Sequence, residues 1–313
     1  MKPLLLGVAA SFFFAFTFVL NRAMDLSGGS WAWSASLRYF FMVPLLLMLV
    51  YFWGGIKPVV AEIKAQPQKW LLWSTVGFGL FYAPLCFASA YGPGWLIAGT
   101  WQITILSGSL LAPLFYKEGK KRGAIPFKQL GFSFIILIGV VLMQLEHATE
   151  LSAATALLCT IPILIASFAY PLGNRKMMEL SSLNTFQRVL GMTLSSLPFW
   201  IILSVYAYLT DGLPKPTQMY QSSLVALLSG VCATILFFAA TDLVKKDSHK
   251  LGAVEATQSM EVLFALLGEV FLLSSPLPSI LSWVGMGVIV AGMVLHSYQT
   301  SHKKAIPQKE LTY

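Results

Sequence analysis

Apolar runs separated by short polar connectors follow one another along the whole chain. Ten reach about 18 residues or more, long enough for a helix to cross a hydrocarbon core of about 30 Å. They cover 3–20, 31–53, 70–91, 95–116, 127–145, 152–172, 184–209, 222–243, 251–273 and 279–298. The pattern predicts an all-α polytopic membrane protein with ten transmembrane helices.

Composition agrees: 57% of the 313 residues are hydrophobic and 11% are charged, against roughly 25% charged in a soluble domain. The net charge of +8 sorts by side. Seventeen of the 21 Lys and Arg fall in connectors on the side of the amino terminus, while Arg22 and Lys215 lie on the other side and Arg38 and Arg188 lie within spans. This asymmetry predicts that both termini are cytoplasmic. The expected partners are the bilayer and a small-molecule solute, with no nucleic acid, in a monomer or homodimer. "MKPLLLGVAASFFFAF" has the look of a signal peptide, but the apolar run continues to Leu20 without a convincing cleavage site, so it is read as the first span. Cys86, Cys159 and Cys232 lie within spans and are read as packing residues, giving neither a disulfide framework nor a metal site.

The chain repeats itself. "AFTFVLNRAMDLS" at the end of the first span is similar to "FAYPLGNRKMMELS" at the end of the sixth, aligning Asn21 and Arg22 with Asn174 and Arg175. "FASA" at 87–90 then matches "FAAT" at 238–241, Gln102 matches Gln258, and "GFSFIILIGVVL" matches "GMGVIVAGMVL". Each half has five spans, so the second enters the membrane from the opposite side. The expected organisation is two inverted repeats, 1–148 and 149–300, with a cytoplasmic basic tail at 301–313. Such repeats recur in secondary transporters, with the site between the halves.

The paired "LNRAM" and "GNRKMM", the stretch "GAVEATQSMEVLFALLGE", the "LFYKEG" after the fourth span and the glycine-spaced fifth and tenth spans carry a family likeness. Over residues 1 to about 300 the chain resembles the drug/metabolite transporter superfamily, specifically its EamA-like ten-helix exporters and their multidrug resistance efflux branch. Glu118 fits the Glu that closes the fourth helix in that family, whereas the ninth span has Ser274 near the equivalent place. The resemblance implies export of small organic solutes.

Candidate chemistry centres on the ninth span. Measured from Gln258 at about 100° per residue, Glu255, Glu261 and Glu269 lie near +60°, −60° and +20°, on one face about 120° wide. Polar side chains on a membrane helix face the bundle interior. With Leu251 at the cytoplasmic edge, Glu255 is roughly 6 Å deep and Glu261 about 15 Å, while Glu269 nears the outer interface. Thr257 and Ser259 lie off the stripe, where their hydroxyls can bond their own helix. Depth matching pairs Arg188 with Glu255, and Arg38 with Glu261 or Glu269. Without a close cation, Glu261 can exchange a proton with a solute; paired with Arg38, it becomes a gate or a structural tie. Glu261, Glu255, Gln258 and Arg38 are therefore the candidates for coupling, with Asn21, Tyr82, Trp101, Gln102, Arg188 and Glu269 as further cavity lining. Trp31, Trp33, Trp53, Trp70 and Trp95, near span ends, read as interface anchors.

No phosphate-binding Gly-x-x-x-x-Gly-Lys-Ser/Thr loop is present, so a proton gradient, rather than any cofactor, is the expected energy source. The function expected is proton-coupled export of drug-like compounds or metabolites across the cytoplasmic membrane of a bacterium. An amino-acid or other metabolite exporter with Arg38 as a carboxylate receptor is the alternative, and a sensor or scaffold is a remote one. An intramembrane enzyme would need a reactive constellation that the spans do not show, so the chain is expected not to be an enzyme.

Overall fold

The structure, a computed structural model, describes residues 1–115, 117–118, 121–122, 127–148, 153–275, 277 and 279–302. Position 149, where the second half is expected to begin, the side chain of Glu118 and the basic tail from 303 fall outside them.

In chain order, leaving aside the short Ala112–Phe115 turn, the helices are Lys2–Leu26 (α1), Trp31–Trp53 (α2), Lys57–Ala65 (α3), Pro67–Ser89 (α4), Gly94–Trp101 (α5), Ile103–Leu110 (α6) and Phe127–Ala148 (α7). Ala153–Leu180 (α8), Thr185–Asp211 (α9), Pro216–Asp242 (α10), Ser248–Ala256 (α11), Met260–Leu272 (α12) and Ile280–His302 (α13) follow. Apart from a two-residue ladder between Lys117–Glu118 and Lys121–Arg122, nearly all the described residues are helical. Within them, six helices are long and apolar enough to cross a membrane: α1, α2, α4, α9, α10 and the Leu157–Leu180 part of α8.

Local chemistry explains several boundaries. Pro58 and Pro67 stand in the first turns of α3 and α4, where a missing N–H costs nothing. Asn184 caps α9 by accepting from the backbone N–H of Gln187, whose side chain accepts in return from the Asn184 N–H.

Two helices contain wide π turns, Thr75–Gly79 in α4 and Ala226–Ala233 in α10. The offset that aligns 87–90 with 238–241 also carries Thr75 onto Ala226. Two other stretches are broken, at Gln102 between α5 and α6 and at the 3₁₀ turn Thr257–Ser259 between α11 and α12. These are the expected fourth and ninth spans, and the breaks fall on the two glutamines that align in the sequence.

Small residues set the close crossings. A Cβ on Gly173 of α8 would overlap the backbone of Gly77 in the π turn of α4. A Cβ on Gly139 of α7 would lie 2.6 Å from the Gly285 carbonyl of α13, so the glycine-spaced helices pack directly on one another. We expect Gly173→Ala to destabilise the protein by about 1–3 kcal/mol through overpacking. Gly287→Ala, whose Cβ would meet nothing within 4 Å, should be near neutral, and thermal unfolding in detergent checks both.

Candidate transport site

Broken helices expose carbonyls that must find donors. The Gln102 amide donates to the carbonyl of Ala98 at 2.9 Å and to that of Gln258 at 3.2 Å, joining the two breaks. The Ser11 hydroxyl of α1 is shared between the carbonyls of Gly7 at 2.9 Å and Thr257 at 2.8 Å. Thr257 and Ser259 donate back to Val254 and Ala256 of their own helix, as their place off the acidic stripe led one to expect.

Just beyond the Thr257–Ser259 break, in the first turn of α12, Glu261 is 1% exposed. It lines an inner pocket of about 230 Å³ with Phe18, Phe81, Trp101, Tyr170 and Gln258. Its Oε1 has no hydrogen-bond partner, and among the described residues no cation reaches it. The walls are aromatic: the Phe81 ring lies 5.0 Å from Trp101 and 4.4 Å from Tyr170. Trp101 is thus a lining residue, whereas Gln102 acts beside the pocket by holding the breaks together.

Tyr170 and Gln258 also line a larger, partly open cleft of about 450 Å³, together with Asn174, Arg175, Arg188 and Glu255. Here two expectations are corrected. Arg188 does not pair with Glu255; its Nη2 lies 2.8 Å from Asp242, and its guanidinium lies 5.1 Å from the ring of Phe238. Glu255 instead pairs with Arg175, which counting by connectors had placed outside the spans. Arg175 Nη2 donates to both Glu255 oxygens at 2.7 and 2.6 Å, Nε donates to Oε1 at 3.1 Å, and Nη1 donates to the Gly108 carbonyl at 2.6 Å. The α8 helix runs on to Leu180 and carries Arg175 inward because the fork geometry satisfies a planar guanidinium as few other partners can. Arg175 also borders a vestibule of about 600 Å³ lined by Phe115, Glu179, Lys245 and Lys246. Arg175 thus borders both vestibule and cleft, and its bonds to Glu255 and to the Gly108 carbonyl tie α8 to α11 and α6.

Arg38 is corrected too, since among the described residues no ion pair joins it to Glu261 or Glu269. It is 1% exposed, lies 4.0 Å from the Tyr82 ring centroid and 5.6 Å from that of Tyr39, and its Nε and Nη1 have no partner. The rings supply cation–π attraction where a carboxylate was expected. Asn21 and Tyr82 bond each other, the Asn21 amide donating to Tyr82 Oη at 3.2 Å and to Cys86 Sγ at 3.4 Å. Glu269 accepts from the backbone N–H of Gly94 at 2.7 Å, so it caps the start of α5 and lines neither the cleft nor the inner pocket.

The three carboxylates thus go to three places: an arginine, an apolar pocket and a helix start. The family model described as "EmrE: Putative multidrug resistance efflux transporter" matches residues 1–302. The chain belongs to this efflux family. The family and the six apolar helices of spanning length together point to a multi-pass membrane protein. Among its relatives, the uncharacterized protein YjlA of Bacillus subtilis (strain 168) is 56% identical over 319 residues, 99% of this chain and 98% of its own. An uncharacterized 42.1 kDa protein of Shouchella clausii, named for its place in the intracellular alkaline protease 3' region, is 49% identical over 267 residues. That match covers 83% of this chain and 70% of its own. A crystal structure at 12% identity shares the fold, with a TM-score of 0.70 over 96% of this chain and 99% of that one.

Arg175, Asp242, Tyr170 and Asn174 are the site residues that the acidic stripe did not reveal. The aligned Asn-Arg pairs were the available signal for two of them. Glu255→Ala leaves Arg175 buried without its partner, an effect of about 3–5 kcal/mol. We expect unfolding in detergent at a clearly lower temperature, with part of the loss recovered in the charge-swapped double variant Arg175→Glu/Glu255→Arg.

Proposed function

We propose that this member of the efflux family is a secondary active exporter of small organic solutes, coupled to proton antiport across a bacterial cytoplasmic membrane. The observation that carries the reading is Glu261, a carboxylate buried in an aromatic pocket with one oxygen unpartnered and no cation beside it among the described residues. A carboxylate in such a place accepts a proton more readily than it keeps a bare charge. The proton held there is exchanged for the solute, which approaches from the cleft through the shared wall of Tyr170 and Gln258.

The architecture of the proposal is ten spans in two inverted five-helix repeats, 1–148 and 149–300, with both termini cytoplasmic. The π turns at aligned positions of α4 and α10, and the breaks at the aligned Gln102 and Gln258, support it. One half rocking against the other would work on the Arg175–Glu255 pair, which links α8 and α11 to α6.

A metabolite exporter in which Arg38 receives a carboxylate is the second reading, favoured by the two unpartnered guanidinium nitrogens of Arg38. Accumulation of a panel of cationic dyes and labelled amino acids in cells with and without the protein separates the two. In cells that export a panel member, Glu261→Gln should abolish pH-dependent export. Survival of export with an unchanged pH dependence contradicts the coupling role.

A further inference from the structure

The aligned asparagines differ in what surrounds them. In the first half, the amide of Asn21 is satisfied by Tyr82 and Cys86. The offset that aligns 87–90 with 238–241 carries Tyr82 onto Ala233 and Cys86 onto Phe237, neither of which offers a polar side-chain atom. Asn174 is accordingly left with both amide atoms buried and unpartnered. It lines the cleft beside Tyr170, whose hydroxyl is also unpartnered in a side chain 3% exposed.

The charges along the same cleft are already spent on one another. Arg175 is held by Glu255 and Arg188 by Asp242, with the Nε N–H of Arg188 buried and unpartnered. A cationic head entering the cleft would have to draw Glu255 or Asp242 from its arginine to find a counter-charge, and an anionic head would have to compete with those same carboxylates for Arg175 or Arg188. A neutral head that both donates and accepts meets groups that are waiting for it. An Asn amide offers one donor edge and one acceptor edge side by side, which is the complement of another amide. Phe237, Phe238 and Leu251 supply an apolar wall for the remainder of such a molecule.

We propose that the cleft recognises solutes with an uncharged amide-type head on an aromatic or aliphatic body, with Asn174 pairing the head and Tyr170 and Arg188 Nε completing its hydrogen bonds. The inference rests on the reading of this cleft as the solute path, and it names the chemical class that the path selects.

The test is binding to the full chain in lipid nanodiscs, by titration calorimetry, of three probes that share a phenyl body: 3-phenylpropanamide, 3-phenylpropanoate and 2-phenylethylammonium. The amide is expected to bind about tenfold or more tighter than either ion, as two net hydrogen bonds allow. Asn174→Leu is expected to remove that advantage while leaving the ions unchanged. An ion that binds as tightly as the amide, no amide binding, or an amide affinity unchanged in Asn174→Leu overturns the proposal. The ranking in the wild-type protein stands as a test even if the variant does not fold. Amide binding without amide export would count against the transport reading alone, and export of cationic dyes without amide binding would count against this one alone.

Discussion

A carboxylate taken out of water must be given a cation, a set of N–H donors or a proton, because the bare charge in an apolar surround is too costly to keep. The arrangement of this protein follows from how it meets that demand three times along one stretch of chain. Glu255 is given Arg175 in a forked pair, and Glu269 is given the backbone N–H at the start of α5. Among the described residues Glu261 is given neither, and it lies in the aromatic pocket where the broken helices meet. The proposed function assigns it the remaining option, the proton.

The breaks are what allow this distribution. In an unbroken helix the three acids would lie on a single stripe, exposed to one common surround. The 3₁₀ turn at Thr257–Ser259 winds more tightly, about 20° more per residue, and separates the segment holding Glu255 from that holding Glu261 and Glu269. Holding a break inside a bundle requires donors for the freed carbonyls, supplied by Gln102 and Ser11. The polar residues around the centre therefore fall into two groups. Gln102 and Ser11 donate to the freed carbonyls, Gln102 keeping its own Oε1 unpartnered beside the pocket, whereas Glu261, Tyr170 and Asn174 keep atoms unpartnered in the cavities they line. Those atoms are where a solute or proton has something to gain.

Much of this was legible in the sequence, for identifiable reasons. Hydrophobic run length gave a nearly all-helical chain, six of the ten expected spans appearing among the described residues as helices long and apolar enough to cross a membrane, and the family likeness is confirmed by the match over residues 1–302. Glu261 stood out because a charge deep in an apolar run has few cheap explanations. Pairing was not legible. Depth alone matched Arg188 to Glu255 and Arg38 to Glu261 or Glu269, but depth leaves rotation about each helix and neighbouring order free. The structure gives Arg188 to Asp242 and Arg38 to the Tyr82 ring. Arg175 was hidden because a basic residue after an apolar run looks like a connector until its acidic partner on another helix is known. The free amide of Asn174 was hidden for a related reason: whether a buried amide finds partners depends on which side chains the neighbouring helices bring to it, and chain order does not place those.

The central claim is that a solute leaving through this protein is exchanged for a proton carried by Glu261. Its most direct measurement is proton movement in proteoliposomes with a pH-sensitive dye in the lumen, recorded when an exported solute is added with no other energy source. The account predicts a proton flux opposite to the solute, dependent on the solute and absent in Glu261→Gln. Solute movement with no accompanying proton flux, or the same flux in Glu261→Gln, would contradict it.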